Sequence, residues 1–160
     1  MADTEWLRNL AAATYRGGHW EHLEPHAVQE LAQARLAHAL QDLMDLAQES
    51  ALVFNDCADG RRSIRVLELA PRPETESQGG FMLLAGRCQL MVERRGTALA
   101  TTLMVVRGFQ RQVAARKRLE PQVDPFGSLV WQGDNALLMT GDLIIKNLFE
   151  DLARVAFDAG

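Results

Sequence analysis

The stretch that decides the fold is residues 81–107, FMLLAGRCQLMVERRGTALATTLMVVR. It holds two apolar segments, FMLLAGRCQLMV at 81–92 and TALATTLMVV at 97–106, with the turn-like ERRG between them. The second segment is rich in Thr and Val, β-branched residues that suit a pleated surface better than a helix. Gly96 can supply the positive φ of a tight reversal. We therefore predict one long β-hairpin at the centre of a sheet.

The alternation of residue types along the first segment, residues 81–92, supports a strand. Its even positions, from Met82 to Val92, are all apolar or small, whereas the odd positions include Arg87 and Gln89. Alternation with a period of two is typical of a strand that buries one face. A buried helix through the same residues is the alternative, and the glycines within and beside the stretch count against it.

Shorter strands are predicted on the N-terminal side of this hairpin. ALVFNDC at 51–57 and SIRVLEL at 63–69 flank Asp59-Gly60, and Asp-Gly between apolar runs is a hairpin signal. The sheet would then begin at residue 51. PRPETESQGG at 71–80, with its prolines and glycines, is expected to be an exposed loop.

On the C-terminal side, residues 113–119 are predicted to form an edge strand, on which charge discourages aggregation. By simple alternation, Arg116 and Arg118 lie on one face and Val113, Ala115 and Leu119 on the other. SLVWQ (128–132) and ALLM (136–139) are predicted to pair across the turn Gly133-Asp134-Asn135.

Helices are predicted at both ends of the chain. A short helix at 4–15 precedes a linker, and Pro25 fits the first turn of a longer helix at 26–49, whose polar stripe is Arg35, His38, Asp42, Asp45 and Glu49. A C-terminal helix at 141–158 has one polar stripe and an otherwise apolar circumference. The fold class is α+β: an antiparallel meander of about six to seven strands, at 51–139, with N-terminal helices and a long C-terminal helix on one face. We expect a single domain over 1–160.

Composition narrows the class of protein. The chain has 160 residues, 48% of them hydrophobic, with no apolar run long enough to span a bilayer and no basic leader before an apolar core. Its two cysteines are compatible with reduced thiols, although one disulfide is also compatible. We predict a cytoplasmic protein without membrane contact.

Charge is segregated along the chain. Residues 1–60 hold three Arg against ten acidic residues, residues 61–118 hold twelve basic against four acidic, and residues 119–160 hold two against seven. Outward-facing Arg65, Arg87, Arg107, Arg116 and Arg118 are the candidate surface for an anionic partner. Because the net charge is −4, we favour neutralisation by acidic helices of the same chain or of a second subunit and predict no nucleic-acid binding.

No catalytic or metal-binding pattern emerges from the reactive residue types. Cys88 has the apolar parity of its strand and is expected in the core, and Cys57 lies beside Asp56 in no recognised catalytic context. His19, His22 and His26 form the one cluster of metal-ligand types, but Pro25 breaks the helical spacing that would converge them. We predict no metal and no cofactor.

Two classes of function remain open. One is a non-enzymatic binding or adaptor protein, self-associating or holding another chain through its sheet or helix surface. The other is a small-molecule binding protein or enzyme with a cavity between the sheet and the C-terminal helix, lined by Phe126, Trp131, Met139 and Phe149. A closed cavity above about 300 Å³ would favour the second class. The lack of a catalytic motif favours the first.

Overall fold

A computed structural model describes residues 25–58, 62–125 and 128–157 of the chain, with side chains from Glu30 onward. Its helices and strands, in chain order, are α1 Pro25–Cys57, β1 Arg65–Leu69, β2 Gly80–Ala85, β3 Cys88–Arg95, β4 Ala98–Arg107, β5 Gln110–Val123, β6 Leu129–Gln132, β7 Leu138–Met139 and α2 Gly141–Phe157. The fold is α+β, as the sequence predicts.

The seven strands form one antiparallel meander in chain order, curled into a half-barrel. Both helices pack on the inner face. The core there joins Leu36 and Leu43 of α1 to Phe81 and Leu83 of β2 and to Leu152 of α2, all of which are buried. The helices also contact one another, so the sheet and its two helices share a single core.

The central stretch departs from the prediction of one hairpin, because FMLLAGRCQLMV is itself a hairpin. Gly86, at φ +57°, turns the chain between β2 and β3, and Ala85 pairs with Cys88. Residues that pair across two strands point to the same face of the sheet. The residues that face the core are therefore odd-numbered in β2 and even-numbered in β3. Leu90 and Val92 are therefore buried as predicted, whereas Met82 and Leu84 point to the opposite, outer face.

Residues 51–57 do not form a strand, and the sheet begins at Arg65. The segment continues α1, because Ala51 and Phe54 extend the apolar spacing of Ala47 along the same helix face. The ring of Phe54 stacks on Phe157 of α2 with centroids 5.9 Å apart. The predicted pairing of 51–57 with 63–69 is wrong, and β1 pairs with β2 instead.

Strand β5 contains a β-bulge that changes the predicted faces. Leu103 pairs with Ala115 and Met104 with Val113, so Ala114 has no partner on β4. Val113 therefore shares the outer face with Arg116 and Arg118, while Ala115 and Leu119 stay on the inner face. Alternation alone cannot locate such an inserted residue.

The segment at 71–80 is more structured than an exposed loop. Pro73–Thr75 form a 3-10 helix, Ser77 is buried, and Arg72 donates a hydrogen bond to buried Glu93 at 2.9 Å. Gln78 and Arg94 continue the contact with β3 through their backbones. This segment covers one end of the outer face, because Glu93 lies on that face.

The C-terminal elements agree with the sequence. β6 and β7 pair as predicted, and α2 buries Ile144, Ile145, Leu148 and Leu152. Within the described residues, no helix has the length and apolarity needed to cross a membrane. The predicted helix at 4–15 lies outside the described part of the chain.

Candidate polypeptide-binding groove

Strand β5 has one open edge over most of its length. It pairs with β4 from Gln110 to Leu119, but with β6 only from Glu120 to Val123. Seven of the eight residues from Arg111 to Arg118 are exposed, an arrangement expected of an edge strand rather than a central one. The open edge is therefore about 30 Å long, at roughly 3.4 Å a residue. The predicted edge strand exists, and it starts three residues earlier.

A groove runs along the inner side of this edge, between β5 and α2. One half is a cavity of about 300 Å³ with Leu119, Met139, Ile144 and Leu148 on its apolar side. The other half, about 270 Å³, is lined by Leu103, Ala114 and Ala115 of the sheet and Val155 of α2. Both halves include Thr101, Lys117, Leu148 and Asp151, so they are parts of one depression, which we call the β5–α2 groove. It is open to solvent.

An ion pair crosses the groove at its middle. Lys117 of β5 donates to Asp151 of α2 at 3.1 Å, and Arg154, one turn along α2, also contacts Asp151. Asp151 is partly buried, with 25% of its side chain exposed, whereas Lys117 is 55% exposed. Exposed pairs of this kind contribute about 0–1 kcal/mol, so the contact can be exchanged at little cost.

The surroundings of the groove are basic on the outer side. Arg111, Arg116 and Arg118 share the outer face of β5. Arg118 is paired with Glu120 at 2.6 Å, whereas no carboxylate of the described residues lies within ion-pair distance of Arg111 or Arg116. The open edge is therefore flanked by cations on both faces, with Lys117 on the inner one.

The predicted cavity residues are not brought together. Met139 lines the groove, but Trp131 is buried in the core and borders a different depression, between α1 and β6. Phe149 packs against the core rather than into the groove. Phe126 lies outside the described residues. A cavity against the last helix thus exists, with other residues around it.

The five arginines of the predicted anionic-partner surface are all exposed. Arg116 and Arg118 lie beside the groove. Arg87, in the β2–β3 turn, Arg107, at the end of β4, and Arg65 all lie near the opposite end of the sheet. Two of the predicted arginines therefore lie on the outer face of β5 beside the groove, and the other three lie on other strands or turns, Arg107 opposite Gln110 at the start of β5.

Other reactive residues lie away from the groove. Cys88 is buried on the inner face, as predicted, and burial raises the pKa of its thiol. Cys57 is exposed, and neither cysteine forms a disulfide. Among the described residues, no group of three or more possible ligands could hold a metal. His19, His22 and the side chain of His26 lie outside them.

Two arginine side chains hold neighbouring segments to β3, Arg72 on the outer face and Arg94 on the inner face. Burial disfavours ionisation of Glu93, but hydrogen bonds from Ser77 and Arg72, and the charges of Arg72 and Arg95, lower its pKa below the ordinary 4.5. Arg94 donates to Gln33 of α1 at 2.6 Å, and burial lowers the pKa of its guanidinium. Both contacts fix loop and helix to β3 and lie outside the groove.

Sequence reasoning missed the residues that make the groove: Lys117, Asp151, Arg154, Thr101 and Ala114. Asp151 and Arg154 belong to the polar stripe of the last helix, where their spacing is that of any exposed pair. The bulge at Ala114 leaves no residue-type signal. Sequence position alone does not show that β6 pairs with only four residues of β5.

Comparison with known proteins gives no match to any family model, curated protein or solved structure.

Proposed function

We propose that this chain is a non-enzymatic binding protein that holds an extended segment of another polypeptide in the β5–α2 groove. The observation that carries the proposal is the open edge of β5, unpaired toward β6 from Gln110 to Leu119, beside a partly apolar depression. The unmet backbone donors and acceptors of such an edge can pair with an incoming strand.

The groove supplies what strand addition requires besides backbone pairing. Side chains of an added strand alternate between two faces. On the inner face, they would reach the cavities lined by Ala115 and Leu148. On the outer face, they would meet Val113, which is 42% exposed. Backbone hydrogen bonds then provide affinity, and the two cavities provide specificity.

The shape of the groove favours a polypeptide over a small molecule. Ligand pockets usually enclose about 300–1,000 Å³ and bury most of their ligand. Here each half is at or below that range, and both are open to solvent along the strand. An elongated, half-open depression beside an unpaired strand edge suits an extended polypeptide that continues beyond the groove at both ends.

The proposal is tested by selecting peptides that bind the purified protein from a random displayed library. Labelled peptides that are enriched should bind with micromolar affinity by fluorescence anisotropy, and hydrogen exchange of residues 110–118 should slow on binding. Ala114→Trp should weaken binding at least about tenfold, because the larger side chain fills the groove. A tenfold loss corresponds to about 1.4 kcal/mol of binding free energy. Ala34→Trp, on the exposed side of α1, is the matched control and should leave it unchanged.

Failure to enrich any peptide would contradict the proposal. So would peptides that protect other amides and bind the Ala114→Trp variant as tightly as the wild type.

A further inference from the structure

We infer that the partner segment is acidic, with carboxylates that take the place of Asp151 at Lys117 and pair with Arg111 and Arg116. This inference rests on the proposed function of the β5–α2 groove. Its starting point is the charge of β5: four basic residues occur from Arg111 to Arg118, and the first acidic residue of the strand is Glu120.

The bulge at Ala114 distributes these charges in a way that matters for an added strand. It places Arg111, Arg116 and Arg118 together on the outer face and leaves Lys117 on the inner face. Directly opposed side chains on neighbouring strands interact, and opposite charges stabilise the pair while like charges destabilise it. A strand beside β5 would therefore meet cations on both of its faces.

This charge pattern argues against a second copy of β5 as the occupant. Antiparallel pairing of two β5 edges would bring the basic residues of each strand close to those of the other, with no acidic residue between Gln110 and Leu119 to compensate. The basic residues therefore disfavour pairing of two β5 edges and favour pairing of β5 with an acidic strand.

Asp151 shows where one partner carboxylate would sit. It lies in the groove between Lys117 and Arg154 and is held by both. An incoming Glu or Asp on the inner face of an added strand can replace it at Lys117, because that cation is 55% exposed and reachable from solvent. Asp151 therefore competes with the partner, and its removal should strengthen binding.

A nucleic acid fits the same surface less well. The protein has a net charge of −4, which repels polyanions at long range. A phosphate chain would also leave the backbone edge of β5 without strand-type pairing, whereas an acidic polypeptide satisfies both the edge and the cations.

The test measures binding of labelled peptides of about ten residues, with Glu-Glu and Val-Val pairs in turn so that each face of the strand carries both residue types, to the full chain by fluorescence anisotropy. Peptides with Gln or Lys in place of Glu are the comparisons, and a Glu peptide N-methylated on one edge blocks backbone pairing. The Glu peptide should bind at least about tenfold more tightly than the Gln peptide, because several opposed charge pairs form at once. Added salt and N-methylation should each weaken binding.

Variants assign the effect to the groove. Arg116→Gln should weaken binding of the Glu peptide several-fold, and Asp151→Asn should strengthen it. Arg65→Gln, on β1 and four strands away from β5, is the control and should leave binding unchanged. Melting curves confirm that each variant is folded.

Equal binding of Glu and Gln peptides, or weaker binding by the Asp151→Asn protein, would overturn the acidic partner and leave the groove's polypeptide role intact. No binding of any peptide would count against the proposed function itself. Tighter binding of a single-stranded oligonucleotide than of the Glu peptide would also overturn the inference.

Discussion

Ala114 shows how much a single residue decides in this protein. As the bulged residue of β5, it moves Val113 to the same face as Arg116 and places its own methyl group at the wall of the groove. Without the bulge, Arg111 would lie on the face opposite Arg116, because simple alternation separates odd from even positions. The charge pattern of the edge thus depends on one extra residue.

Glu93 is the other residue with an unusual environment. Its side chain is only 2% exposed on the outer face, yet it is ionised against Arg72, which is 42% exposed. The pair joins the loop after β1 to the C-terminal part of β3. Because the folded protein lowers the pKa of Glu93, protons bind more readily to the unfolded chain, and stability rises with pH through that range.

We expect Glu93→Gln to lower the free energy of unfolding by about 1–3 kcal/mol at neutral pH, since it removes a charged hydrogen bond in a buried place. The stabilisation by Glu93 is complete well above pH 4.5 and is lost as pH falls below that value. The difference between wild type and variant should shrink there. Urea unfolding at several pH values measures it, with exposed Glu74→Gln as the control. A difference that did not vary with pH would refute this account.

Among the elements, α2 both closes the core and forms one wall of the groove. Ile144, Ile145, Leu148 and Leu152 are buried, and Leu148 also borders both cavities. Thr140 caps its start, since its hydroxyl accepts a hydrogen bond from the Leu143 amide at 3.4 Å. The helix therefore cannot detach without exposing the inner face of the sheet.

Leu152→Ala should lower the free energy of unfolding by about 2–5 kcal/mol, the usual range for truncating a buried leucine. Leu148→Ala should cost less within that range, because its side chain borders the open groove and leaves no closed cavity. Leu52→Ala, at a position 67% exposed on α1, is the matched control and should be close to neutral. Thermal and urea unfolding compare the three; an unchanged midpoint in Leu152→Ala would mean that α2 is not part of the core.

At the scale of the whole molecule, charge and apolar surface are unevenly distributed. The exposed stripe of α1 carries Asp42, Asp45 and Glu49, while the open edge of β5 is basic. The outer face also keeps apolar side chains partly exposed, among them Leu67 at 37% and Val113 at 42%. The acidic stripe of one copy is complementary to the basic edge of another.

We therefore expect weak, salt-sensitive self-association of the full chain, driven by charge. Sedimentation velocity over a range of protein concentrations should show it at low ionic strength and not at high ionic strength, because exposed charges are screened. Glu49→Lys should reduce it. Glu74→Lys makes the same change of net charge away from α1 and is expected to matter less; equal effects of the two variants would argue against a specific contact.

The α+β class, the helix spacing and the β6–β7 hairpin could be predicted from the sequence, because each depends on local periodicity or turn residues. The apolar face of α2 and the core position of Cys88 are examples. The prediction of which strand residues face the core was wrong where the alternation passed through an unrecognised turn or β-bulge. Gly86 inverted the faces of Met82 and Leu84, and the bulge at Ala114 did the same for Val113.

The sequence by itself determined which residues could be buried and that a basic middle segment lies between acidic ends. Only the tertiary structure decided that β6 pairs with the last four residues of β5, that α2 lies beside the uncovered part, and that Lys117 reaches Asp151. These contacts join residues far apart in the chain, and their geometry follows from the curl of the whole sheet. Local residue patterns carry no information about that curl, and for this reason the groove could not be predicted from them.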